Sequence, residues 1–570
     1  MIFRRISYFL EAEKNLNTPS FLQPNVEAKI AIGACKFHCT PVVQDQFFKF
    51  VKKSRSAKAD KDLSHTYLKE VLQNCKSVSD QWDAFHSYVQ LTPEDVSRRQ
   101  NTCHEIEDIL KRVFAKSSLK IIGSTVTGLG LKGCDLDLSF QTSDCDSLLD
   151  TPELGESIVM TKDIIDGKVP VSTFPQLNPK QKLHFLNRIL KESNVAGTII
   201  PGHCPILSFP YNGFDVDLGI NNISGIQGTN FMKLCGKLDS RVAPLFRCIT
   251  YWAKHYKLCG GAMKFKSYGL FLLLVFFLQA RGVLPTVEVM LQKAGLQETK
   301  SWLYESSHPK LSTEELLQEF FFCYANFDFS YVICTSTCEL IKGDEFVKKS
   351  KNENFELNSI SIQDPLNPDW NVTRTVNWKH CRHFAAELLS ACEIFQEKWN
   401  PSPNSGPFGL LALIDTPFTS KDLKNTKMVN INIHVSSPED GQAKSRKVYE
   451  MFRDGLGFQC DKLQQSGLQD EGTTLVSRFQ CVASDTWFGR SSFEFMHRND
   501  DVGFWAKELQ ISKHMTSMEK SERRTDFEFL CECRIQDGCL HVMIKPEDSE
   551  IFIPKLAIFL KHYILKCIDK

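Results

Sequence analysis

The sequence predicts an α+β protein, and three observations carry the prediction. Two short segments alternate acidic and apolar residues, Asp135-Leu136-Asp137-Leu138 and Asp215-Val216-Asp217-Leu218; period two is the signature of a strand whose two faces differ. Segments with apolar residues three and four apart lie before, between and after them, the helical period. Beyond about Lys424 a further alternating stretch, MVNINIHV, opens a small region where strands and helices mix.

With 570 residues, the chain has room for three or four compact units. Apolar residues make up 42% of it, enough for packed cores. Its 68 basic and 68 acidic residues cancel, which excludes a broad basic surface and leaves nucleic-acid binding to local patches and metal-bridged phosphates. Twenty-one cysteines are scattered singly, a usage that fits free thiols in a reducing intracellular compartment. No apolar run approaches the roughly 18 to 20 residues that span a bilayer; the longest, around Leu270–Leu278, has the length of a core helix. Arg4 and Arg5, with no acid before Glu11, fit the start of a mitochondrial presequence.

Taken in order, residues 1–63 form an N-terminal region of unassigned role, in which Cys35, His38 and Cys39 lie close together without the second pair a zinc site needs. Residues 64–116 read as helical, with Thr92 as N-cap, Pro93 at the first helical position and acids in the first turn. Ile121–Phe140 follows as a glycine-rich turn and a strand. A polar insertion runs from Gln141 to about Asn178, then a helix over Lys180–Lys191. CPILSFPYNGFDVDLGINN reads as two strands joined by the turn Pro210–Gly213. Helices are expected over Leu238–Leu258, Ser267–Arg281, Leu311–Phe329 and Trp378–Phe395, with a long polar excursion at Cys338–Asn358. The three prolines of Asn400–Pro407 mark a boundary. The C-terminal region should hold a helix at Ala443–Leu456 and strands near Leu475–Val482, Phe493–His497 and Phe527–Ile535. A hairpin through Gln536-Asp537-Gly538 and a last helix at Ile553–Ile568 complete it. Cys531, Cys533, Cys539 and His541 fall across that hairpin and read as ordinary sheet residues, with a metal site as the alternative.

The chemistry gathers at Ile121–Phe140. Asp135 and Asp137 share one strand face, about 7 Å apart, and repel each other unless a cation lies between them. A hard divalent ion such as Mg²⁺ suits carboxylate and phosphate oxygens. Gly123-Ser124 can bring backbone N–H groups and a hydroxyl against a phosphate. On the second acidic strand either Asp215 or Asp217 can complete a three-carboxylate site by spacing alone.

Gly123-Ser124, Asp135-x-Asp137 and a third acid on a later strand resemble the nucleotidyltransferase fold of the DNA polymerase β superfamily. LDSRVAPLFRCITYWAKHYKL, SYGLFLLLVFFLQARGVLPTVE and IQDPLNPDWNVTRTV are similar to the non-canonical poly(A) polymerases and terminal uridylyltransferases, a likeness covering residues 65 to 415. SVSDQWDAFHSYVQLTPEDVSRRQNTCHEIEDIL, GCDLDL and LLQEFFFCYANFDF resemble the mitochondrial poly(A) polymerases most. The U6 RNA-specific terminal uridylyltransferases (speckle-targeted poly(A) polymerases) are second, sharing GCDLDL and LPTVEVMLQKAG.

The resemblance implies a nucleotidyltransferase palm with a mixed sheet over 117–225. It also implies a helical central domain over 226–415, joined by the segment 64–116, and leaves a small α+β module at 425–570 with RNA binding as its candidate role. It implies catalytic, metal-binding carboxylates at Asp135, Asp137 and Asp217, the last chosen over Asp215 by the match to VDLGINN. It assigns phosphate contacts to Gly123, Ser124, Lys254 and Ser267, the ribose to Thr229 and the stacked base to Tyr268. Mg²⁺ or Mn²⁺ is the implied cofactor. Uridylyl-selective members carry a histidine where this chain has Trp370, so ATP is the expected nucleotide, with UTP as the alternative. Thr250 and Gly228 depart from the family's usual basic and asparagine residues. An RNA 3′ end is the implied partner, with a homodimer a further expectation, and the location is mitochondrial or, as the alternative, nuclear. A catalytically dead RNA-binding scaffold and a nucleotidyltransferase acting on small molecules are the competing readings.

Overall fold

The computed structural model describes residues 63–569 apart from 143–159, 203, 262, 294–310, 351–354, 402–405, 416–427, 464–468, 471–472, 484, 488, 495–502, 518–526 and 547–553. The Cys35, His38 and Cys39 group and the presequence-like start lie outside the described residues.

The first sheet contains β1 (Ser118–Ile122), β2 (Leu136–Gln141), β3 (Thr198–Ile200), β4 (Ile206–Tyr211) and β5 (Phe214–Ile220), in the order β1-β2-β5-β4-β3. β2 and β5 run parallel and every other neighbour pair is antiparallel, so the sheet is mixed. Alternation does its expected work. Leu136, Leu138, Val216 and Leu218 are buried in one core with Ile106, Leu110, Phe185 and Leu186, which leaves the acids of β2 and β5 on the other face. The turn joining β4 to β5 is Asn212-Gly213, both at positive φ, the backbone of a tight two-residue hairpin.

The helix Pro93–Lys111 begins at the Thr92 cap read from the sequence. Thr92 and Asp95 exchange side-chain to backbone hydrogen bonds in a capping box. That helix supplies Cys103, Ile106, Ile109 and Leu110 to the core under the first sheet, whereas His65–Gln73 and Val78–Val89 pack into the helical core. Residues 64–116 are therefore divided between the two cores, because the apolar stripe of Pro93–Lys111 faces the sheet.

The helical core collects Val242–His255, Ser267–Ala280, Thr313–Ala325, Trp378–Glu397 and Gly409–Asp415. Ser267–Ala280 is buried without interruption from Gly269 to Gln279, as an all-apolar helix must be. The helix expected over Leu238–Leu258 spans Val242–His255, and a further helix that was not expected, Ile223–Leu238, precedes it. The excursion at Cys338–Asn358 also carries structure. β6 (Tyr331–Cys334) pairs with β7 (Glu339–Lys342) and β8 (Ser361–Gln363), and the helix Gly343–Ser350 follows β7.

The C-terminal sheet is antiparallel, ordered β10-β12-β13-β14-β9, with β11 (Gln469–Asp470) on β12. Its strands are β9 (Val429–His434), β10 (Gln459–Lys462), β12 (Thr473–Ala483), β13 (Phe527–Gln536) and β14 (Cys539–Pro546). Pro438–Glu450 and Pro554–Cys567 contribute to its core. Asp537-Gly538, at φ 50° and 72°, makes the β13–β14 hairpin. The strand expected at Phe493–His497 is instead a short helix, Arg490–Glu494, with 495–497 outside the described residues. Cys531 and Cys533 are buried in the sheet core, and His541 turns to Asn432. Among the described residues no three His, Cys, Asp or Glu side chains could hold a metal ion together, and no helix is long and apolar enough to cross a membrane.

This C-terminal region shares the helical core: Phe493, Ile511 and Ile558 belong to it, and His562 stacks on Phe322 at 4.0 Å. A buried ion pair holds its outer helices together. Arg490 donates to the Glu508 carboxylate at 2.6 Å and to the Gly455 and Glu508 carbonyls, and Tyr563 donates to the same carboxylate. Arg490→Met strands Glu508 as an unpaired buried charge and should cost about 3–5 kcal/mol, read as an earlier thermal transition. Arg490→Met combined with Glu508→Leu should recover most of that loss.

Candidate active site

Asp137 and Asp217 are register partners on the parallel strands β2 and β5, side by side at the roughly 4.8 Å spacing of neighbouring strands. Asp135 precedes Asp137 by two residues on the same face and is exposed. The Asp137 carboxyl is pushed up to about 7, first by burial and then by the Asp135 and Asp217 charges. Arg99 and Lys254 pull it the other way. Asp217, on Asp137's own register line, is thus the acid of β5 that acts on it.

Gly123 follows β1 at φ +71°. A Cβ there would stand 2.6 Å from Asp137 Oδ2, so glycine is required both by backbone conformation and by the close approach of the carboxylate. Its N–H donates to Thr229 Oγ1 at 2.8 Å, and the Thr229 hydroxyl donates to the Gly225 carbonyl at 2.6 Å. Asn222 continues this chain. Its side chain accepts from Gly225 N–H, and its own N–H donates to Ser139 Oγ on β2. Gly123 N–H and the Thr229 hydroxyl are thus both engaged in fixing the turn, and Gly123 also contributes the absence of a side chain. Ser124 is half-buried at the start of the helix Ser124–Thr127.

The remaining expected contacts form a second group. Lys254 is exposed in the last turn of Val242–His255 and lies near enough to act on Asp137. Ser267 opens the next long helix, with its hydroxyl 3.8 Å from Cys259 Sγ. Tyr268 donates its hydroxyl to Asp364 Oδ1 at 3.1 Å, which also accepts from Leu366 N–H. The carbonyl of Trp370 accepts from Asp364 N–H, and the Arg374 guanidinium lies 3.9 Å from the center of the Trp370 ring. The helix Ile223–Leu238 bridges the two groups: Thr229 grips the glycine turn, while a Cβ at the adjacent Gly228 would sit 3.8 Å from the Tyr268 ring. Thr250 is buried.

Sequence reasoning missed Arg99, Asp364 as the Tyr268 partner, Arg374 over Trp370, and the Ser139–Asn222 link. Except for Arg374 and Trp370, four residues apart, each is joined to its partner only by the fold.

The carboxylate group fits a divalent cation. Hard oxygen donors lie side by side on β2 and β5, and a cation there would offset both the burial and the neighbouring acid charges that raise Asp137. The described acids do not close a cage by themselves; Mg²⁺ needs none, because it takes one or two carboxylates and completes its shell with water and substrate phosphates.

Two family models match the chain. The model described as "Poly(A) RNA polymerase, mitochondrial-like, central palm domain" covers residues 78–237, and "Cid1 family poly A polymerase" covers 314–370. Both models describe poly(A) polymerase domains, in keeping with the resemblance read from the sequence. It is 24% identical to the speckle targeted PIP5K1A-regulated poly(A) polymerase of Xenopus tropicalis, over 87% of this chain and 66% of that protein. To the mitochondrial poly(A) RNA polymerase of Homo sapiens it is 25% identical, over 62% of each. The chain thus spans just under two thirds of these relatives' length. A crystal structure of mtPAP in complex with GTP shares the fold, with a TM-score of 0.50, 21% identity, and coverage of 62% of this chain and 76% of that one.

Two predictions follow from the geometry. Gly123→Ala drives a methyl group into Asp137 and should reduce nucleotide addition by more than about tenfold, measured as initial rate, with the far-UV spectrum unchanged. Asp137 is more readily protonated folded than unfolded, so its contribution to the metal-free protein is full below about pH 4 and is lost as pH rises through about 7. Asp137→Asn should therefore stabilise the metal-free protein at pH 8, by about 1–2 kcal/mol after allowing for solvent screening, and change little at pH 4. Thermal melts at the two pH values check this.

Proposed function

We propose that the chain is a template-independent RNA 3′-terminal nucleotidyltransferase that adds AMP from ATP. The observation that carries the reading is the group Asp135, Asp137 and Asp217 beside the Gly123 turn. In this reading the three carboxylates hold Mg²⁺ or Mn²⁺, which when bound polarises the α-phosphate and lowers the pKa of the RNA 3′-hydroxyl. Asp217 draws the proton of that hydroxyl, and the freed oxygen attacks the α-phosphorus as pyrophosphate leaves. Ser124, Lys254 and Ser267 orient the triphosphate. Tyr268 stacks on the base with its hydroxyl anchored by Asp364, an arrangement tolerant of base identity.

ATP is favoured because Trp370 occupies the position where uridylyl-selective relatives carry histidine, and its ring is covered by Arg374. The second reading, UMP addition to a small RNA, draws support from the longer match to the speckle targeted relative, which takes in 87% of the chain. The same match makes nuclear location the alternative to the mitochondrial one, and the C-terminal region a candidate RNA-binding module. A homodimer belongs to the mitochondrial reading.

Extension of a labelled RNA primer with Mg²⁺ and each NTP separately tests the proposal. ATP should be used best, Asp135→Ala and Asp137→Ala should fall to background, and Trp370→His should move the preference toward UTP. Near-normal activity in either aspartate variant overturns the site assignment, and wild-type preference for UTP overturns the adenylyl reading.

A further inference from the structure

Arg99 is a large charged side chain buried beneath the candidate site. It projects from the helix Pro93–Lys111 and is 1% exposed. Its Nη2 donates to the Cys134 carbonyl at 2.7 Å, and its Nη1 donates to the Asp135 carbonyl at 3.2 Å and to Thr125 Oγ1 at 3.1 Å. Its guanidinium lies 4.8 Å from the center of the Phe214 ring, at the first residue of β5. Its Nε is buried without a hydrogen-bond partner. A guanidinium buried against neutral carbonyls and one hydroxyl is costly to desolvate, and packing alone would be better served by an apolar side chain.

The three things it grips explain the expense. Thr125 belongs to the turn that follows Gly123-Ser124. The Cys134 and Asp135 carbonyls flank the first acid. Phe214 begins the strand that carries Asp217. We propose that Arg99 is a positioning residue: its planar fork holds the glycine turn, the start of β2 and the start of β5 in one arrangement, so that Asp137 and Asp217, with Asp135 beside them, present oxygens to a divalent cation whose shell water and substrate phosphates complete. A lysine at this position keeps the charge but has no fork to span the carbonyls and Thr125 together. The inference rests on the metal-dependent reading of the three carboxylates above.

The test uses the full chain with Arg99→Lys, Arg99→Met and Thr125→Val, the last removing one acceptor while keeping its shape. Mn²⁺ affinity is read by electron paramagnetic resonance, kcat and KM for ATP by primer extension at saturating Mn²⁺, and folding by thermal melts. Arg99→Lys and Arg99→Met should weaken Mn²⁺ binding by about 10- to 100-fold, the range typical of residues that orient metal ligands. They should lower kcat with KM for ATP changed less than threefold, and Thr125→Val should fall between them and wild type. Variants that melt with wild type and match it in Mn²⁺ affinity and kcat overturn the proposal. So does a loss that tracks only a lowered melting temperature, and should Arg99→Met not fold, Arg99→Lys and Thr125→Val decide alone. If wild type binds Mn²⁺ but extends no RNA, the proposed function fails while the Mn²⁺ affinities still judge Arg99; if wild type binds no Mn²⁺, both fail.

Discussion

A carboxyl buried between two other acids is the constraint on which the structure of the site depends: Asp137 is enclosed, with Asp135 and Asp217 close enough to act on it. It has one acid two residues before it and another across from it on β5. Flexible side chains in water would separate. Here the period-two alternation that buries Leu136, Leu138, Val216 and Leu218 fixes the acids on the opposite face, so burial on one side of the sheet enforces the crowding on the other.

Much of the surrounding structure consists of means to keep that arrangement. Gly123 gives way so that Asp137 can approach the turn; Thr229, Gly225, Asn222 and Ser139 tie the turn back to β2 through hydrogen bonds. The same helix that carries Thr229 brings Gly228 against Tyr268, and through Asp364 this connects the carboxylates' side of the cleft with the loop holding Trp370. The site is therefore two hydrogen-bonded groups joined by packing, drawn from segments more than two hundred residues apart in the sequence.

What could be read from the sequence was what is local. The DLDL and FDVDL strands, the Thr92 cap, the Asn212-Gly213 and Asp537-Gly538 hairpins and the apolar helix after Ser267 each follow from neighbours a few residues away. The family's fold followed from motifs of the same kind. What was hidden depends on contacts across the fold. Which core the helix Pro93–Lys111 joins is decided by the sheet it meets, and the inward commitment of the Thr229 hydroxyl by a glycine 106 residues earlier. The strand expected at Phe493–His497 failed because Arg490 draws that segment into a helix around the buried Glu508 carboxylate. The β6–β8 sheet escaped notice because its strands are only three or four residues long and lie within polar sequence.

Burial first, and then the Asp135 and Asp217 charges, keep Asp137 partly protonated near neutrality until a cation arrives. The most direct measurement is calorimetric titration of Mn²⁺ into the metal-free protein at pH 7 in two buffers of different ionisation enthalpy, which counts the protons released on binding. A carboxyl at about 7 predicts release of about half a proton at pH 7, declining toward zero by about pH 9. Binding without proton release at pH 7 would contradict the account.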